Sequence, residues 1–135
     1  MANELRVPIQ SAIDIVTARQ QGREMAKKMG FEGGDLTLIA AAISEVARNI
    51  VTHAERGEIL LSPVHNGTKH GLQVVARDEG PGIADLEQAM QYGFSTRKGL
   101  GVGLPGAKWL MDEFDIVSRS GQGTAITMKK WLHRG

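Results

Sequence analysis

Cysteine is absent from this chain, which excludes disulfides, thiolate nucleophiles and thiolate metal centres. Aromatic residues are scarce at 4% while glycines number 17, so much of the backbone is expected in turns or in loops lying close to a ligand. No long block of like charges occurs and the net charge is +1. A nucleic-acid partner is therefore not expected, because phosphate backbones are bound by clustered basic faces. The opening residues carry charges throughout, without an apolar signal core, and no apolar run is long enough to span a bilayer. The expected location is cytoplasmic, with no membrane partner.

What remains is an ordinary globular composition. The 135 residues are 41% hydrophobic and 23% charged, enough for one domain over residues 1–135 with a real core. The pattern reads as one α/β unit. A short strand over Glu4–Ile9, with Pro8 suited to an edge, leads into a helix capped at Ser11 and stopped by Gly30. Asp35 is expected to cap a second helix, in which Leu36, Ile39, Ile43, Val46 and Ile50 recur at three- and four-residue steps. That helix should end between His53 and Gly57. Two strands, Glu58–His65 and Leu72–Arg77, read as a hairpin through Asn66-Gly67 and Gly71. A short helix over Ala84–Met90 and a glycine-rich run follow, then a helix from Gly103 to about Asp112. A hairpin of Phe114–Arg119 with Thr124–Leu132 ends the chain. The expected fold class is α/β (α+β), a two-layer sandwich whose mixed, largely antiparallel sheet carries helices on one face.

Four segments stand out by order and spacing. They are Glu45-x-x-x-Asn49 on the second helix, Asp78-Glu79-Gly80-Pro81-Gly82 after a strand, Gly99-Leu100-Gly101-Val102-Gly103 before a helix, and Gly121-Gln122-Gly123-Thr124 before the last strand. Singly, each is a common surface pair or turn. In the second helix, however, the five recurring apolar residues cover roughly 80° of arc. Glu45 and Asn49 lie well away from that stripe, beside Leu38, Ala41 and Ala42, which are untypical of a solvent face. That helix is expected to pack one side on the sheet and line something with the other.

The residue types suit a magnesium nucleotide. Magnesium takes few protein oxygens and leaves the rest to phosphate and water, so the Asn49 amide is a suitable ligand that adds no charge. Glu45, one turn earlier, could hydrogen-bond a metal-bound water or accept a proton from an incoming hydroxyl. Asp78 could accept a hydrogen bond from the adenine amine, where guanine would present a carbonyl and leave the acceptor unpaired. Gly99, Gly101 and Gly103 bring helix-start amides close to an anion. A dinucleotide fingerprint is disfavoured, since no strand leads directly into the run. Arg97 and Lys98 are candidates for the γ-phosphate or an ordinary solvated pair. Thr124 could bind a water or the Asp78 carboxylate, or simply start a strand.

Together, over about Asp35–Lys130, these segments resemble the N, G1, G2 and G3 boxes of the GHKL ATP-binding superfamily, which has the Bergerat fold. Within it, SEVARNIVTHA (Ser44–Ala54) and GFSTRKGLGVGLPGAKWLMDEFDI (Gly93–Ile116) are similar to the small serine/threonine switch kinases of bacterial partner-switching pathways, including those of the stressosome. The resemblance implies that Glu45 is the catalytic base and Asn49 the Mg2+ ligand, with Asp78 at adenine. It places Gly80, Gly82, Lys98, Gly99, Gly101, Val102, Gly103 and Thr124 around ATP, and Thr96 at a lid position near the phosphates. Only sixteen residues separate Gly82 from Gly99, so the lid is shorter than in related anti-sigma-factor kinases. The arginine those kinases use at the γ-phosphate has no assigned counterpart.

The implied function is a serine/threonine-protein kinase acting on a serine of a STAS-domain antagonist or scaffold (RsbS- or RsbR-like). Its release would then activate an RsbU-like phosphatase. Two other classes stay open: an ATP-gated binding protein such as an anti-sigma factor, and a detached histidine-kinase catalytic domain. None of His53, His65, His70 and His133 lies on a separate dimerising helix pair, so a full histidine kinase is not expected.

Overall fold

The computed structural model describes residues 4–54, 56–80, 103–119 and 121–132. Its elements run β1 (Leu5–Ile9), α1 (Ala12–Met29), α2 (Gly34–His53), β2 (Gly57–Asn66), β3 (Lys69–Asp78), α3 (Gly103–Leu110), β4 (Glu113–Arg119) and β5 (Gly123–Trp131). The strands form a sheet in the order β1-β2-β3-β5-β4. Every described pairing is antiparallel, in keeping with the expected largely antiparallel sheet. The reason is connectivity: α1 and α2 follow one another between β1 and β2, and two successive helices return the chain to the end it left. A parallel neighbour needs a single crossover.

Local sequence explains the helix ends. Before α1, the Asp14 carboxylate accepts from the backbone N–H groups of Gln10 (2.8 Å) and Ser11 (3.1 Å), satisfying donors the helix cannot reach. Gly30 ends α1 at φ 111°, a left-handed conformation that glycine takes without strain. The second helix starts two residues earlier than expected. Its N-cap is Gly33, and Asp35 lies in the first turn, where its charge meets the positive end of the helix dipole rather than capping it.

The core lies between the helices and one face of the sheet. Alternate strand residues Ile59 and Leu61, Leu72, Val74 and Ala76, and Ile126 and Met128 are buried against Ile39, Ile43, Val46 and Ile50 of α2. Close approach of α1 is set by one glycine: a Cβ on Gly22 would stand 2.1 Å from Ile43 Cδ1. Glycine within a helix costs about 1 kcal/mol relative to alanine, offset here by the packing it permits. No described helix is long and apolar enough to cross a membrane.

Lys130 fixes α3 from behind. It is buried on the helix-facing side of β5, and its Nζ donates to the Leu110 carbonyl, the last of α3, at 3.2 Å. Asp112 Oδ1 lies 3.7 Å from the same ammonium. Lys130→Met keeps the apolar stem but orphans that carbonyl, an expected loss of about 1–3 kcal/mol. Thermal unfolding should record this as a Tm fall of roughly 3–12 °C; an unchanged Tm would remove Lys130 as an anchor of α3.

Candidate functional site

Asp78 closes the central strand on its helix-facing side, in register with Gly57 of β2 and Thr124 of β5. Its Oδ1 accepts the Gly80 N–H at 2.9 Å, which turns the chain sharply after the strand. The backbone is packed tightly around it. A Cβ on Gly123 would fall 2.2 Å from the Asp78 carbonyl oxygen, one on Gly57 2.3 Å from the Arg77 carbonyl, and one on Gly80 2.5 Å from Ala54 Cβ. Gly123 also sits at φ 87°, so both space and torsion require glycine. The half-buried carboxylate therefore stands at a sheet end where the surrounding backbone is bare.

Helix α2 links this point to the second cluster. Ala54, its C-cap, abuts Gly80. At 1.5 Å of rise per residue, Asn49 lies roughly 7 Å and Glu45 roughly 13 Å back along the helix axis. Both are partly buried, as are Leu38 and Ala41 beside them. Only 10% of the Glu45 side chain is exposed, and its two oxygens are held by different elements. Oε1 accepts the Gly103 N–H at 3.0 Å and Oε2 accepts Arg48 Nη1 at 2.9 Å. Gly103, at φ 70°, opens α3, which packs along α2. The carboxylate thus occupies a helix N-terminus, where unpaired amides attract anions.

Thr124 is buried, and its hydroxyl meets Ser118 of β4 at 2.8 Å. Ser118 Oγ donates in turn to the Gly123 carbonyl at 3.1 Å. Thr124 stands at the start of β5, and its described hydroxyl partner, Ser118, was not among the uses weighed from sequence. A cleft of about 1000 Å³ opens at the same sheet end. It is lined by Asp78, Gly123 and Thr124 and extends past Arg6, Glu58 and Arg77. Arg6 and Arg77 both pair with Glu58 and hold its carboxyl below the usual carboxylate range. Neither Glu45 nor Asn49 lines this cleft.

Gly82, Thr96, Arg97, Lys98, Gly99, Gly101 and Val102, with the expected Ala84–Met90 helix, lie outside the described residues. Three contributors were not singled out from sequence: Arg48, Gly57 and Ser118. Arg48 was detectable by its three-residue spacing from Glu45. Gly57 and Ser118 gain their roles only through strand register.

Residues 10–130 match the family described as the histidine kinase-like ATPase domain. The serine/threonine-protein kinase RsbT of Bacillus subtilis (strain 168) is 49% identical over 132 residues, covering 98% of this chain and 99% of that protein. An anti-sigma F factor of Thermoanaerobacter sp. (strain X514) is 35% identical over 100 residues, covering 70% of this chain and 68% of its own. Among solved structures, the catalytic domain of histidine kinase ThkA aligns at a TM-score of 0.52, with 18% identity, over 93% of this chain and 95% of that one; this likeness speaks for the fold alone. Among the described residues, three helices and an antiparallel five-stranded sheet agree with the residue 10–130 match: the chain belongs to the histidine kinase-like ATPase domain family.

Proposed function

We propose that this chain is a protein serine/threonine kinase, transferring the γ-phosphate of Mg-ATP to a serine hydroxyl on a STAS-domain partner. The observation that carries the reading is the Glu45 carboxylate, reaching from α2 to the N-terminus of α3, with Asn49 one turn further along α2. The 49% identity to a serine/threonine kinase supports it. The residues present suit the nucleotide. Asp78 lines the cleft at the sheet end, and its carboxylate is a fitting acceptor for the adenine amine. Asn49 offers a neutral oxygen to magnesium, which when bound spreads the charge of the β- and γ-phosphates.

In the proposed transfer, Glu45 accepts the proton of the attacking hydroxyl. That oxygen bonds to the γ-phosphorus while the γ–β bridge breaks and ADP leaves with the electron pair. The Gly103 amide and the dipole of α3 stabilise negative charge beside it. In the partner-switching reading, phosphorylation loosens the complex, and the freed kinase activates a downstream phosphatase.

The test uses γ-labelled ATP and a STAS-domain protein. Label should enter the partner as an acid-stable phosphoserine. Acid-labile label would instead indicate histidine chemistry. The anti-sigma F factor relatives favour a second reading, a binding protein gated by ATP. It predicts nucleotide-dependent partner affinity with no phosphate moved.

A further inference from the structure

We infer that Arg48 is a positioning residue for phosphoryl transfer, acting through Glu45; the inference rests on Glu45 being the proton acceptor. A carboxylate as shielded as this one needs hydrogen-bond donors around it. It has two, on opposite sides, and they are not equivalent. The Gly103 N–H opens α3 and is the type of amide that a phosphate group takes. A phosphate arriving there competes with Glu45 for the donor and repels its charge. Arg48 is fixed by α2 itself, three residues from Glu45, so its hold does not depend on what occupies the start of α3.

The two contacts therefore have different fates when nucleotide enters. The Glu45–Gly103 contact is exchanged, freeing Oε1 for the attacking hydroxyl. The Glu45–Arg48 contact persists, balancing the carboxylate's charge and keeping Oε2 in place while phosphate stands opposite. Without Arg48, the freed carboxylate has nothing to hold it near the phosphates, and it turns away. An ordinary exposed pair at this spacing would contribute little to stability and nothing to turnover. Two features set Arg48 apart: its partner is almost fully shielded, and that partner's other oxygen reaches a second helix.

Arg48→Met, which keeps the apolar stem, and Arg48→Lys, which keeps the charge, test this on the full chain with Mg-ATP and a STAS-domain substrate. For Arg48→Met, kcat is expected to fall about 10- to 100-fold, the scale of a displaced reacting group, while KM for ATP stays within about threefold. Arg48→Lys should recover most of the lost kcat. In a Glu45→Gln background, Arg48→Met should reduce the residual transfer by less than about twofold, because both changes act on one unit. Unchanged kcat in Arg48→Met would overturn the inference. So would a raised KM with kcat intact, which indicates direct nucleotide contact, or a full Arg48→Met effect without Glu45. If Arg48→Met does not fold, Arg48→Gln, which removes the charge but keeps a polar head, decides: a lowered kcat at constant KM supports the role, and a wild-type kcat overturns it. The underlying reading fails separately, since a normally active Glu45→Gln overturns both, whereas an inactive one with a normal Arg48→Met overturns only the role of Arg48.

Discussion

Glu45→Gln is expected to bind nucleotide nearly as well as the native chain while transferring phosphate about 10²- to 10⁴-fold more slowly, the usual contribution of a positioned general base. The substitution is nearly isosteric, which is why the two effects separate. A glutamine oxygen still accepts the Gly103 N–H, so the start of α3 keeps its partner. What disappears is the capacity to take a proton, together with the charge that pairs with Arg48. Removing negative charge beside a triphosphate also favours binding, so ATP affinity should hold or rise slightly. Isothermal titration with Mg-ATP and single-turnover transfer to a STAS-domain serine measure the two properties independently. Equal losses in both would mean that Glu45 organises the pocket rather than the reaction. Unimpaired transfer would leave the chain without its proton acceptor.

Periodicity made the α2 part of the candidate site legible in the sequence. A stripe of five apolar residues fixed which side of that helix faces the sheet, and the partly buried Glu45 and Asn49 had to face something else. The hairpins were legible too, though the strands proved longer than expected. Lys69, His70 and Gly71 lack β-propensity yet join β3, because a two-residue turn at Gly67-Thr68 carries pairing to the tip. Tertiary packing also explains what sequence hid. Gly22 looks like a helix defect until Ile43 is seen filling the space its side chain would occupy. Gly57 looks like a turn residue, yet it is a strand position pressed against the Arg77 carbonyl. Acidic residues favour helix starts, which points to Asp35 as a cap, but Gly33 bends the chain two residues earlier. Trp131 and Trp109 could not be ranked from composition. The first is buried, with its indole N–H given to Glu113 at 2.6 Å, and the second is 80% exposed on α3.

Asp78→Asn is expected to weaken adenine nucleotide binding about 10- to 100-fold, the equivalent of losing one hydrogen bond to a charged group. The local geometry makes this more than a change of charge. One Asp78 oxygen is already committed to the Gly80 N–H at 2.9 Å, so the other is the acceptor available to a base amine. Asparagine keeps an acceptor oxygen on one side only and puts an NH2 on the other, so it cannot meet donors from both sides. If it keeps the Gly80 turn, its NH2 points where the adenine amine approaches, and two donors meet. If it flips to meet adenine, the tight turn after β3 loses its bond. Guanine presents a carbonyl at that place, so the same NH2 becomes a suitable partner and discrimination against GTP should relax. Calorimetry with ATP and GTP on both proteins reads the affinity and the selectivity in one series, and unfolding of the nucleotide-free variant separates a damaged turn from a damaged pocket. An Asp78→Asn protein that still binds ATP normally and still rejects GTP would place the base elsewhere than beside β3.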